Sequence, residues 1–438
     1  MADTLAEQRF DSDSLPSREG EPAFSRALRE EALATFQALP VPSQATEEWR
    51  YTDLSGLDLN TYRPAAPGTL AENLDGLDDG VLRALGEVGD RAGLSIQHNS
   101  DTATTHLDPD LASRGVVFES LDLALTQHPD LVEKRLHALV PIDRSKLVAQ
   151  HAAFRTGGLL LYVPAGVAVE LPLQSFTYVD GSDVAVFPHT LIVAEQDAEV
   201  TLIERLTSPS GVRAYANAIT EIHAAPNARV RVVSLQDWGD ETTHMSIQRA
   251  NLDRDAQLRS FAVAFGGSLS RIEVESIMSA PGAYSEMLGV YFADGDQHYD
   301  FRSLQDHAAP NCTSELLYKG ALKDRSTAIY SGWVTVRKDA QKTDAFQTNR
   351  NIVLSDEAKA DSIPNLEIEA NDVRCGHAAS VGPVSADEVF YLQSRGIPAD
   401  EAERLIVTGF FQEVLDRVTL PEVRTGVEEA IQDELGGS

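Results

Sequence analysis

The chain's hydrophobic pattern changes character about a third of the way along. In "PAFSRALREEALATFQALP" the apolar residues Phe24, Leu28, Ala32, Phe36 and Leu39 recur at helical spacing, and Pro40 ends the run. Residues 61–145 predict a mixture of short strands and helices, with "LDLALTQHPDLVEKRLHALV" the best helix among them. From about residue 150 the helical period disappears. Short alternating runs such as "GLLLYVPAGVAVEL", "HTLIVAEQDAEVTLIERL" and "ARVRVVSLQDW" replace it, and these read as strands with one face buried.

The strands repeat. A small residue closes a turn just before a strand-like run at Ala168, Ala198, Ala228, Ala256, Ala283, Cys312 and Ala340, at spacings of 30, 30, 28, 27, 29 and 28 residues. A sustained period of this length marks a repeat architecture. The repeats hold no helical segment long enough for paired-helix units and no Trp-Asp signature of propeller blades. Two or more strands per repeat instead fit an all-β solenoid, a β-helix whose coils stack and pair their edges. A large antiparallel sandwich with even strand spacing is the competing reading. After Val384 helical patterning returns. Ser385 and Glu388 form a capping-box pattern, Gly396 is a helix stop, and Pro398 and Pro421 suit first turns. In the middle helix Ala402, Leu405, Ile406, Phe410, Val414 and Leu415 share one predicted face, and the adjacent Phe410 and Phe411 cannot both lie on it. The expected organisation is an N-terminal helical and mixed region over 1–145, a β-helix core over 146–384, and a C-terminal helical domain over 385–438.

Composition narrows the function. The 438 residues, 42% of them hydrophobic, suffice for a sizeable core, and a formal net charge of −32 argues against nucleic acid, anionic membranes and acidic substrates as partners. Lysine is scarce beside arginine, and the acidic excess suggests adaptation to high salt. The melting midpoint is therefore expected to rise between low and multimolar KCl, and equal midpoints would count against that adaptation. The opening residues lack the basic start and apolar stretch of an export signal, and two cysteines cannot build a disulfide framework, so a cytoplasmic location is expected.

Most enzyme signatures are missing. The chain has no GxxxxGK[ST], no GxGxxG opening a helix, no HExxH, no GxSxG and no CxxC. Cys312 occupies a repeat slot that holds alanine elsewhere and reads as a small buried hydrophobe. Cys375 and His377, in "DVRCGHAASVG", are different. Two apart on a strand, they face the same way, and a thiolate beside an imidazole suits zinc, iron or copper. Two ligands fall short of the usual four, and a cysteine-nucleophile pair is a poorer reading of the same residues.

Four segments together, "EEWRYTDL", "YVPAGVAVELPL", "NRNIVLSDEAKADSIPNLEIEANDVRCGHAASVG" and "YLQSRGI" with "LIVTGFF", resemble the SufB/SufD family of iron–sulfur cluster assembly proteins. The resemblance spans about 45–420 and is most specific over 345–411. It implies a right-handed parallel β-helix between helical regions. It also implies a non-catalytic subunit that pairs with a sister chain and binds the ATPase SufC through its C-terminal helices, to support iron acquisition and cluster assembly. Where SufB proteins carry a thiol this chain has "QTNRNIVLSDEA", and where they tend to have "HEA" it has "GHAA", so the sequence looks more like SufD, with SufB as its partner. Carried onto this chain, the resemblance makes His377 a ligand for iron or a nascent cluster held transiently at the SufB interface, with Cys375 second. No cofactor is expected to stay tightly bound to the isolated chain, which could pair with itself through the open end of its solenoid. A SufB-like scaffold acting without SufD, and a β-helix lyase or hydrolase of carbohydrates, are the alternatives.

Overall fold

A computed structural model describes residues 9–18, 20–65, 79–85 and 89–436. The first eight residues, part of the segment read for an export signal, lie outside that range. The chain is mainly β and winds into a parallel β-solenoid of about eight turns, with helices at both ends. Successive strands fall alternately in two sheets, so that each coil adds one strand to each. Sheet A runs from Val117–Ser120 and Leu159–Val163 through every second strand to Lys359–Ile368, and sheet B from Asp101–Leu107 and Gly93–His98 to Arg374–Pro383. Strands of ten residues pair in unbroken parallel register from Gln257–Gly266 onward. The mixed region before residue 145 supplies strands that extend both sheets.

The repeat is one column of small residues at a corner. Ala198, Ala228, Ala256, Ala283 and Cys312 stack in a single buried cluster. The residue before each, Asp197, Asn227, Asp255, Gly282 or Asn311, has a positive φ. Asp, Asn and Gly tolerate that left-handed turn best, which explains the "DA" and "NA" signature. Two assignments shift. Ala168 pairs with Glu199, so the slot opposite Ala198 belongs to buried Val167, which follows Gly166 at φ 71°. At the other end Thr313 pairs with Asp344, so Thr343, after Lys342 at φ 61°, takes the slot predicted for Ala340. A longer turn in that coil displaces the register.

The coil interior changes along the axis. It is aliphatic near the start and aromatic near the end, where Tyr291, Tyr299, Phe301, Tyr318 and Tyr330 are buried together. Tyr291 stacks on Phe301 at 4.4 Å between centroids, and its hydroxyl donates to Asn351 Oδ1 at 2.5 Å and accepts from Asn349 Nδ2 at 3.1 Å. Gly320 makes room for this ring, since a Cβ there would lie 2.0 Å from Tyr291 Cε2.

Helices cover the outer faces. Ala23–Ala38 packs on Lys146–Phe154 above sheet A, sharing a core with Phe187, Tyr215 and Met245. Trp49 and Thr52 of "EEWRYTDL" also seat on sheet A. The Arg271 guanidinium lies 3.9 Å from the Trp49 ring centroid, and the Thr52 hydroxyl donates to Asp300 Oδ2 at 2.5 Å. The single helix predicted around 121–140 breaks into Leu121–Gln127 and Pro129–Val132, because the residue before a proline is driven out of helical backbone and His128 sits at φ −129°.

At the C-terminus, Ser385 caps Ala386–Ser394, Gly396 turns at φ 88°, and Ala399–Leu415 and Pro421–Gly436 follow. The buried face of the middle helix is Ala402, Val407, Phe411, Val414 and Leu415, against the outer face of sheet B. Leu405 is exposed and Phe410 half-buried, so the predicted stripe is rotated. Phe411 enters the core, and Phe410 lies under the Lys319 ammonium, 4.7 Å from its ring centroid.

Candidate functional site

The two ends of the solenoid differ. At the start, antiparallel pairings of Gly93–His98 with Asp101–Leu107 and of Val117–Ser120 with Leu159–Val163 interrupt the parallel stack. At the finish, Lys359–Ile368 and Arg374–Pro383 are each the last strand of their sheet, and among the described residues nothing pairs with their outer edges. Cys375 and His377 lie on that last strand.

Register shows which way they face. Ala345, Gln347, Asn349 and Asn351 are buried on the inward face of the preceding strand, whereas Phe346 and Arg350 point outward. Cys375 stacks on Ala345 and His377 on Gln347, so both side chains face the solenoid interior. The column beneath His377 reads Met287, Leu316, Gln347, His377. Its polarity rises toward the open end, where no further coil covers the imidazole and His377 is exposed. Gln347 is itself fully engaged: its Oε1 accepts from the Tyr330 hydroxyl and its Nε2 donates to the Asn365 carbonyl, each at 3.1 Å. Among the described residues neither ring nitrogen of His377 has a hydrogen-bond partner. Gly376 between the two is needed on the outer face, where a Cβ would come within 2.7 Å of the Phe346 ring.

Cys375 packs with Val334, Val336, Ala345 and Leu366. Burial raises its thiol pKa, and the Asp344 carboxylate raises it further. The thiol is thus held protonated, which makes it a poorer metal donor than a thiolate. The pair brings one nitrogen and one sulfur to a surface with open backbone edges, which is enough to start a metal site and too little to close one.

Next to this end, Ala386–Ser394 leaves Phe390 71% and Tyr391 57% exposed, with Leu405 nearby on the following helix at 47%. Two exposed aromatics on one helix and an exposed leucine on the next form an apolar patch of the kind used for protein contacts. The second of these helices is anchored firmly to sheet B. Lys319 Nζ donates to the Phe410 carbonyl at 2.7 Å and meets Glu413, while Arg417 bridges Glu286 and Glu315.

Comparison with known proteins agrees with this architecture. The model of the SufBD core domain of the SUF system for iron–sulfur cluster assembly matches residues 176–410. The chain belongs to the SufBD family. A model of the SufBD N-terminal region matches residues 92–175, which hold the antiparallel start of the solenoid. An iron–sulfur cluster assembly SufBD family protein of Mycobacterium tuberculosis (strain ATCC 25618 / H37Rv) is 33% identical over 92% of each chain. The iron–sulfur cluster assembly protein SufD of Bacillus subtilis (strain 168) is 31% identical over 96% of each. A SufBD family protein of Staphylococcus epidermidis (strain ATCC 12228 / FDA PCI 1200) is 27% identical over 95% of this chain and 90% of its own.

The resemblance read from sequence is therefore correct at the level of the family, and the chain is a SufBD protein of iron–sulfur cluster assembly. No described helix is long and apolar enough to cross a membrane. Sequence reasoning missed a second group of possible metal-binding side chains, the buried histidines His137, His151 and His189.

Proposed function

We propose that this SufBD protein is a SufD-type, non-catalytic subunit acting in the cytoplasm, which pairs end to end with a SufB-type sister and supports iron acquisition and cluster assembly at their junction. The observation that carries the reading is the end coil. Two inward-facing ligand groups, Cys375 and His377, sit beside two unpaired strand edges. A sister solenoid docked there would satisfy the open backbone groups and supply the missing ligands in the same step. His377 is the principal ligand to iron or a nascent cluster, and Cys375 the second. The exposed patch of Phe390, Tyr391 and Leu405 is the surface offered to a SufC-type ATPase.

The test replaces His377 with alanine and co-expresses the chain with its SufB- and SufC-type partners. Iron and sulfide in the purified complex are expected to fall by roughly tenfold, the scale on which lost metal-site contacts act. Size-exclusion chromatography should show the complex still assembled. Unchanged loading in an intact complex would sink the ligand role.

A further inference from the structure

Three histidines far apart in sequence meet between the outer face of sheet A and the N-terminal helices. His137 lies in the turn after Pro129–Val132, His151 on the helix Lys146–Phe154, and His189 at the start of the strand His189–Ala194. Their ring centroids are 4.9, 5.3 and 5.5 Å apart, and all three are buried.

The hydrogen bonds fix where the protons are. His137 Nδ1 lies 3.0 Å from the Val140 carbonyl and His151 Nε2 3.2 Å from the Pro188 carbonyl. A carbonyl only accepts, so those nitrogens carry the protons. That leaves His137 Nε2 and His151 Nδ1 as bare lone pairs, sealed from solvent and without a donor. His189 Nε2 lies 3.0 Å from Glu221 Oε2 without the alignment of a hydrogen bond, and neither of its ring nitrogens has a hydrogen-bond partner, so either one is open to a ligand. Glu221 is fully buried, and its oxygens also accept the backbone N–H groups of His137, Leu139 and Val140 at 2.6, 2.6 and 3.0 Å.

One nitrogen from each ring lies within 4.8 Å of the other two. An ion at the usual 2.0–2.1 Å needs the nitrogens about 3.3 Å apart, a shift of less than about 1 Å per ring. Backbone carbonyls on two rings and a carboxylate on the third are the outer contacts that orient histidine ligands in metal sites. The positive charge of buried Arg155 also reaches the rings, but it faces Asp122 at 3.7 Å, while Glu221 stands as the negative group next to His189.

We propose that His137, His151 and His189 bind one divalent transition-metal ion of imidazole-preferring chemistry, with Glu221 as its outer carboxylate. Three buried imidazoles, each with at least one ring nitrogen that lacks a hydrogen-bond partner, are costly to leave unpaired. The ion ties the N-terminal helices to the first coils and is separate from the Cys375–His377 end, which lies on the last strand.

The experiment uses the full-length, untagged chain carrying Cys375→Ser and His377→Ala, so that the end coil contributes nothing. Metal analysis of the protein purified from zinc-supplemented cells is expected to give about one equivalent per chain, and cobalt(II) added to chelator-treated protein to give the visible band of an imidazole-ligated ion. His137→Gln in this background should weaken binding by roughly tenfold or more and remove the band. If His137→Gln fails to fold, the melting midpoint of the background chain decides, rising with zinc concentration if the site exists. Absence of a stoichiometric ion together with a midpoint indifferent to zinc overturns the proposal, as does a folded His137→Gln chain that binds cobalt as tightly as its parent.

Discussion

Replacing Asp300 with alanine is expected to lower the free energy of unfolding by about 3–5 kcal/mol, the scale seen when one partner of a buried charge cluster is removed. Asp300 is fully buried on the outer face of sheet A. Its Oδ2 accepts from Arg271 Nη1 and from the Thr52 hydroxyl, each at 2.5 Å, and its Oδ1 accepts from Arg302 Nε at 2.6 Å. Without the carboxylate, Arg271 keeps Glu273 but loses its balance of charge beneath Trp49, and Thr52 loses its acceptor. The N-terminal segment should loosen with it. Asp300→Asn, which keeps the shape and drops the charge, should recover only part of the loss. Urea unfolding at neutral pH measures both variants, and a change below about 1 kcal/mol for Asp300→Ala would show that the cluster contributes little.

The same carboxylate predicts a pH dependence. Burial by itself raises its pKa, but the Arg271 and Arg302 guanidiniums outweigh burial and the net shift is downward. A carboxylate whose folded pKa lies below its unfolded value adds stability above the unfolded range and loses it as pH falls through the folded pKa. The wild type should therefore lose stability on acidification below the ordinary carboxylate range more steeply than Asp300→Asn.

Gly320→Ala is the second large effect. The new methyl would meet the Tyr291 ring at 2.0 Å, and that ring cannot move freely. Phe301 stacks on it and both Asn349 and Asn351 hold its hydroxyl. Overpacking of this kind costs about 1–3 kcal/mol, with the upper end expected where backbone and ring are both fixed. Tyr291→Leu in the same chain should relieve the clash, so the double variant is expected to be more stable than the two single losses added together. Strict additivity would show that the two sites do not touch.

Much of the fold could be read from the sequence because a stacked corner imposes the same small residue and the same left-handed turn on every coil. The reading failed where coils depart from the standard length. Gly166 carries the left-handed turn in the first coil and moves the slot to Val167, and a longer turn moves it from Ala340 to Thr343. Cys375 and His377 were legible because both lie on one strand, where alternation alone sets them on one face. Their inward orientation needed the burial of Ala345 and Gln347 in the neighbouring coil. His137, His151 and His189 carry no local signal, since only tertiary packing joins a turn, a helix and a strand. Arg271 and Asp300 sit opposite each other in successive coils, so comparing equal positions one period apart would have found them.

The unequal ends of the solenoid also limit how far it can grow. Parallel stacking copies the same backbone pattern from coil to coil, so a rod with two exposed ends could add units indefinitely and form a fibre. This chain has antiparallel pairs at one end and a parallel last coil at the other, so its two ends do not match. Unlike ends cannot continue one another head to tail in a single parallel register, which works against a fibre. A joint formed between two matching ends, as in the proposed pairing, stops the stack at the coil that carries His377.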